Sequence, residues 1–521
     1  MTLPIARLNT MLMLLGVVAC GPVDAESDAA DDGASTVATT GTPTASTGSR
    51  GAETTSGDAS TGAPTTSSAG ATSGSSGSEL EETGGETSTG AVVPACDVDA
   101  ATLPILPCAE GYGIETPAGS GRHLDPPQTE IMVVDSLADE GPGTLRACVE
   151  ASGPRTCVFA IAGVIELTDF ITASSPYLTV AGQTAPSPGI SLHGAGIRVM
   201  TDDVLLQHLR IRVGDRPEGP PVHNRDAIWI SNPDDPPERI IIDHCSLALS
   251  SDEMLSVWYE AGDVSVLDTV MGWALNDSIH VDEGASGPAP HGFGPLLGQW
   301  GARVYFARNA LVHQEGRNPL SRTAQLVFAN NVVHNFGPGA SRVTGDDPTQ
   351  NAFLENVYQR GADTPTGRPP LRVDPASGSA VYIEGMMLDG VVFEDAWSEI
   401  DLATNDDVIA AAVPTALAPA TMPAEDVVSF IDAYGGAWPQ ERDAIDVELL
   451  ADVREGTGTI INCVEDDGSE RCSLNAGGWP DADVTMHTLD LPADPMGDDN
   501  ADGYTNLEAW LHARAAEVEG R

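Results

Sequence analysis

The chain has 521 residues and carries 77 acidic side chains against 24 basic ones, all of them arginine, for a net charge of −53 and a hydrophobic fraction of 41%. Such an excess of negative charge opposes binding to nucleic acid and to anionic lipid headgroups, and a polyanionic ligand would need a bridging cation. The length suits one large all-β domain or solenoid as readily as several smaller domains.

Residues 1–20 read as an export signal. Arg7 precedes an apolar run from Met11 that is too short to span a bilayer, and Val17-Val18-Ala19 leads into Cys20. The small residue before a cysteine resembles a bacterial lipobox, which makes Cys20 the lipidated first residue of the mature chain and that anchor its only link to a membrane. Residues 21–94 are rich in Ser, Thr, Gly and Ala with scattered acids, and too poor in large apolar side chains to offset the entropy of ordering. They are expected to form a disordered tether. Export also favours disulfides, and Cys96 with Cys108, Cys148 with Cys157, and Cys463 with Cys472 are each close in sequence. Cys245 is left over and reads as a buried apolar side chain.

A short strand pattern recurs through the middle of the chain, as in Val204-Leu-Leu-Gln-His-Leu-Arg-Ile, Ile240-Ile-Ile-Asp-His-Cys-Ser-Leu, Val304-Tyr-Phe-Ala-Arg-Asn-Ala-Leu and Leu326-Val-Phe-Ala-Asn-Asn-Val-Val. Gly, Pro and Asp lie between the copies, whose spacing fits one coil plus a variable loop of a parallel β-helix. Cys245, Thr269, Asn309 and Asn331 take the same place in successive copies, where side-chain amides would cap the turns from coil to coil. Beyond about Val391, Pro423-Ala-Glu-Asp-Val-Val and Asp443-Ala-Ile-Asp-Val-Glu show helical spacing behind acidic first turns. The predicted architecture is all-β: a right-handed parallel β-helix over 95–390, with a small helical C-terminal extension over 391–521 packing on the solenoid. Within that extension Asp498, Asn500 and Asp502 precede a glycine as at the start of a calcium loop, although Ala509 stands where an EF-hand has its bidentate acid.

Several segments together resemble the pectate lyases of polysaccharide lyase family one, in their secreted bacterial lipoprotein branch. They are Glu140-Gly-Pro-Gly-Thr-Leu-Arg-Ala-Cys, Tyr177-Leu-Thr-Val-Ala-Gly-Gln-Thr-Ala-Pro, Ile242-Asp-His, Ser251-Asp-Glu, Pro290-His-Gly-Phe-Gly, Gly316-Arg-Asn-Pro and Gly477-Gly-Trp-Pro. Each is weak alone; their order and spacing carry the resemblance.

The resemblance implies a Ca²⁺-dependent lyase that cleaves pectate or a related polyuronate by β-elimination. It places calcium ligation on Asn224, Asp226 and Asp252 with Glu253 beside it, and sets Ser256 where the family has a further acid. Arg317 matches the catalytic arginine and Arg322 the arginine that binds a substrate carboxylate. The family's lysine falls near Asn276 and is missing, so His280 or His291 is expected to supply a replacement contact to substrate. The expected partner is an acidic polysaccharide, and the expected protein is an exported, lipid-anchored monomer at the outer membrane or cell surface, or secreted. The alternative is a surface β-helix that binds polysaccharide without cutting it.

Overall fold

The computed structural model describes residues 103–521 apart from 283–284, 299–300 and 405. Cys20, the tether and Cys96 lie outside the described residues. The chain winds into a parallel β-solenoid of about ten coils, built on three long sheets. The first sheet holds ten strands from Glu130–Val134 to Ala380–Glu384. The second holds eleven, two of them antiparallel additions, Val391–Val392 and Thr485–Met486. The third holds nine, from Ile171–Ala173 to Asp401–Leu402. Each coil passes from the first sheet to the second and then to the third, as in Glu238–Asp243, Ser246–Ala248 and Leu255–Val257.

Alternation along the strands turns every second side chain inward, and parallel pairing stacks like on like. Ile240, Val264, Val304 and Leu326 are in register, as are Ile242, Val266, Phe306, Phe328 and Phe353. The three phenylalanine rings follow one another at 5.5 and 5.6 Å. Outward positions of the first sheet are apolar as well, and the leading segment covers them: Ile105 and Ala118 pack on Leu205 and Ile241, and Tyr112 packs with Tyr305 and Val327.

The strands leave the first sheet through one residue with a left-handed backbone in successive coils: His208, His244, Asp268, Arg308, Asn330 and Glu355. None is glycine, so each position carries a steric cost of about 1–2 kcal/mol. A buried amide ladder lies directly behind them. The Asn309, Asn331 and Asn356 side-chain carbonyls accept the backbone N–H of Thr269, Asn309 and Asn331 at 2.8–2.9 Å, while their NH₂ groups donate to the carbonyls of Val266, Phe306 and Phe328. Cys245 continues the column, its N–H bonded to the Thr269 hydroxyl.

Among the described residues, four α-helices decorate the solenoid. α1 (Leu145–Val149) leads into the disulfide Cys148–Cys157. α2 (Ala424–Tyr434) and α3 (Ala444–Glu455) bury Val427, Ile431, Leu449, Leu450 and Val453 against Ala248, Val270, Ala310, Val312 and Val332 on the outside of the second sheet. A second disulfide joins Cys463 and Cys472. α4 (Asn506–Glu519) starts on a capping box between Thr505 and Glu508 and ends by placing Glu519 beside His208 and His244, 3.2 and 3.6 Å away. No described helix is long and apolar enough to cross a membrane.

Two predictions follow from the turns. Asn331→Ala would strip one rung and leave the Asn309 N–H and the Phe306 carbonyl buried without partners, at about 1–3 kcal/mol per group; a fall in thermal midpoint with an unchanged circular dichroism spectrum is expected. The second concerns Glu519. Burial opposes charge on His244, but Asp243, Glu519 and Asp268 outweigh it and raise the imidazole to about 9. Burial likewise opposes charge on Glu519, yet His244 and His208 hold it at about 2. His244 therefore adds stability that is complete below about pH 6.5 and lost as pH rises through its folded value, and Glu519 adds stability present above about pH 4.3 and lost on acidification. Glu519→Gln should cost about 3 kcal/mol between those limits, and melts at pH 5.5 and at pH 9.5 should show the gap to the parent narrowing at the alkaline end.

Candidate active site

The outer face of the third sheet and the extended segments leading into it gather the candidate residues. Asp226 precedes the strand Ile228–Ile230, and Asp252 and Glu253 precede Leu255–Val257 in the next coil. His291 and Phe293 lie ahead of Leu296–Leu297, and Arg317 ahead of Leu320–Ser321. Parallel bridges from Glu253 to Phe293 and from Phe293 to Gly316 hold these segments side by side. Successive coils, repeated at strand spacing, thus bring one or two residues each onto one patch.

Asp226, Asp252 and Glu253 are all buried, and one carboxylate oxygen from each lies within 4.8 Å of the others. Burial raises the Asp226 carboxyl well above its ordinary value, and the neighbouring Asp252 adds to the rise; the Ser256 hydroxyl, which donates to Asp226 at 3.1 Å, Arg317 and Arg198 work against it. Glu253 is ion-paired with Arg317, whose guanidinium lies over the Phe293 ring, 4.3 Å from its centroid. Arg317 has a left-handed backbone (φ 57°), a costly conformation for a side chain of this size. His291 Nε2 lies 3.0 Å from Asp252 and 3.6 Å from Glu253. Its ring stacks on His280 with centroids 3.7 Å apart. Burial, followed by His291, lowers the pKa of His280 and favours the neutral ring.

Asp226, Asp252, Glu253, His280, His291 and Arg317 are therefore together. Asn224 stands two residues earlier in a turn closed by its own N–H on the Pro221 carbonyl, and its side chain makes no hydrogen bond to the cluster among the described residues. Arg322 follows the strand that Arg317 precedes and lines a shallow cleft of about 400 Å³ with Glu260, Asp347 and Thr349. Asp498, Asn500 and Asp502 occupy an exposed loop before α4, where the Asp498 carboxylate accepts the N–H groups of Asp502 and Gly503 at 3.2 and 3.1 Å.

Two residues of this face escaped the sequence reading. Arg198 and Trp229 pair in register on adjacent strands, with the Arg198 guanidinium 4.0 Å from the Trp229 ring centroid. Each is the single outward side chain of an apolar triplet, Ile197-Arg-Val and Ile228-Trp-Ile, and that signal was available.

No family model matches the chain. Among curated proteins it is 29% identical to "Probable pectate lyase C" of Aspergillus flavus over 433 residues, 79% of this chain and 94% of that one. It is also 29% identical to the protein of the same description from Aspergillus terreus, over 78% of this chain and 93% of the relative. The chain is a homologue of these fungal proteins. Among solved structures, the cedar pollen allergen jun a 1 aligns at 16% identity over 62% of this chain and 91% of its own, with a TM-score of 0.44. A mutant pectate lyase from Bacillus subtilis aligns at 11% identity over 63% and 96%, with a TM-score of 0.43.

Proposed function

We propose that the protein is a calcium-dependent polysaccharide lyase that cleaves pectate or a related polyuronate by β-elimination. Homology to named pectate lyases over nearly their whole length supports the lyase class, and the observation that carries the chemistry is the buried Asp226–Asp252–Glu253 cluster with Arg317 against it. Burial and the neighbouring Asp252 raise the proton affinity of Asp226, and a hard cation with oxygen ligands fits that donor set. Asp226, Asp252 and Glu253 would hold it, with Ser256 and Asn224 as neutral oxygens nearby. Calcium bound there would neutralise a uronate carboxylate and so acidify the adjacent C5 proton.

Elimination removes that proton, forms the C4–C5 double bond and breaks the C4–O bond, whose oxygen leaves with a proton. Arg317 is the base in this reading. A guanidinium gives up its proton only when neighbouring positive charge favours the neutral form, so Arg317 can act once Glu253 is engaged elsewhere, and alkaline pH should help. The Phe293 ring lies against the guanidinium meanwhile. Arg322 would bind a second uronate carboxylate along the same face, and His280 and His291, standing near the position of the absent lysine, would contact substrate.

We also infer that the mature chain starts at a lipidated Cys20 and reaches a membrane through that anchor alone, as an exported monomer. Cys20→Ala should move the protein from the membrane pellet to the soluble fraction; retention in the pellet would remove the anchor.

The activity is tested by incubating polygalacturonate with the protein, with calcium or with a chelator, and following the ultraviolet absorbance of unsaturated uronate. Product with calcium and none with chelator is expected. Arg317→Lys should lower turnover about 100- to 10,000-fold while leaving the fold intact, and Arg322→Ala should mainly raise KM. Full turnover by Arg317→Lys would discard the assignment of the base. A parent protein that binds the polymer yet forms no product on any polyuronate would leave a non-catalytic polysaccharide-binding β-helix, a role that the Arg317–Glu253 ion pair suits equally.

A further inference from the structure

We propose that Asp252, His280 and His291 form a site for a divalent transition-metal ion of the zinc, cobalt and nickel class, separate in chemistry from the all-oxygen cluster and sharing Asp252 with it. The inference goes beyond the lyase reading and does not need it. His280 Nδ1 and His291 Nε2 lie 3.7 and 3.0 Å from the same oxygen, Asp252 Oδ1. The edge of a tetrahedron around an ion with bonds of about 2.0–2.1 Å is about 3.3 Å, so both distances bracket the spacing that a shared ion requires. Both nitrogens are buried, and neither makes a hydrogen bond despite its nearness to the carboxylate. His280 is 3% exposed.

The far side of His280 is prepared in a way that suits ligation. Its Nε2 hydrogen-bonds the Asp282 carboxylate at 3.3 Å. A carboxylate only accepts, so that nitrogen carries the proton and Nδ1 keeps its lone pair toward Asp252. A carboxylate behind a histidine in this way fixes tautomer and ring orientation in metal sites. Two imidazoles with one carboxylate select borderline ions, whereas calcium prefers oxygen donors. The rings are nearly parallel, within 13°, so a shared ion must turn one of them about its Cβ–Cγ bond; one stacked contact is weak beside two metal–nitrogen bonds. A second group with ligand potential, His208, Asp243, His244 and Glu519, is fully buried. It is already closed by hydrogen bonds from His244 to Asp243, from Gln207 to Asp243 and between Arg521 and His244.

The test uses the tag-free full chain titrated with Co²⁺ alone, read by visible absorption, and with Zn²⁺ by calorimetry in the presence of excess Ca²⁺. One equivalent should bind and give the intense visible bands of a nitrogen-ligated cobalt of low coordination number. His291→Gln and His280→Gln should each weaken binding at least tenfold and bleach those bands, whereas Asp226→Asn, which removes no ligand of this site, should leave the bands in place. Should a histidine variant misfold by circular dichroism, Asp282→Asn at the exposed second carboxylate carries the test, with an expected loss of about 10- to 100-fold. Absence of cobalt bands in the parent, or binding untouched by the histidine and Asp282 changes, would each overturn the proposal. None of these readouts measures sugar cleavage, so a failed metal site and a failed lyase reading are told apart.

Discussion

The turn out of the first sheet is the constraint on which the remaining structure depends. A left-handed residue in successive coils turns the chain from the first sheet to the second, and the following N–H and carbonyl groups would be orphaned in the interior without the Asn309–Asn331–Asn356 ladder. Buried amides that both donate and accept fix the rise between coils, because a slip of one residue would break every rung and turn the Phe306–Phe328–Phe353 column outward. The same fixed rise brings Asp226, Asp252, Phe293 and Arg317 from four coils onto one patch. The site is precise because the turns are.

Charge is handled by the same economy. With arginine as the only strong cation, buried guanidiniums are clamped in several directions: Arg155 donates to the carbonyls of Cys148, Val149 and Gly153, and Arg212 bridges Asp443 and Asp446 at the seam with α3. Arg308 binds Asp268 at 2.7 Å across the turn stack. Arg317 obeys the rule with Glu253, and that makes the groove ambivalent, since the pair that orients the guanidinium also secures its proton. Asn276, near the position of the absent lysine, does another job. Its N–H donates to the Ile461 carbonyl and its own carbonyl accepts from His291, so it pins the histidine-bearing connection to the C-terminal part.

The solenoid was legible because its evidence is local and repeated: each coil restates the inward Val, Ile and Phe pattern, and Cys245, Thr269, Asn309 and Asn331 mark one column in the sequence itself. Asn356, the next rung, went unnoticed because its strand, Gln350-Asn-Ala-Phe-Leu, opens on polar residues. The resemblance, not the periodicity, singles out Asp226, Asp252 and Arg317, and the structure brings the three onto one patch. The stack of His280 on His291 could not be read, because ten residues of Gly- and Pro-rich chain lie between them and no periodicity says how such a connection folds back. The same limit hid the place of Arg322 in a cleft with Glu260 and Asp347, residues brought together between coils and not along them.

Asp252 is where the two donor sets of the groove meet. On one side it faces Asp226 and Glu253, oxygen donors in a pocket whose charge is only partly balanced by Arg317 and Arg198; on the other it faces two imidazoles. A single carboxylate cannot give full charge to both. An ion on the nitrogen side would draw density from Asp252 and weaken what remains for a hard cation, whereas an ion on the oxygen side would relieve the repulsion that raises Asp226 and leave the histidines stacked. Occupancy of the two sides would therefore be coupled through one residue, and by linkage each ion would lower the affinity of the other by the same factor.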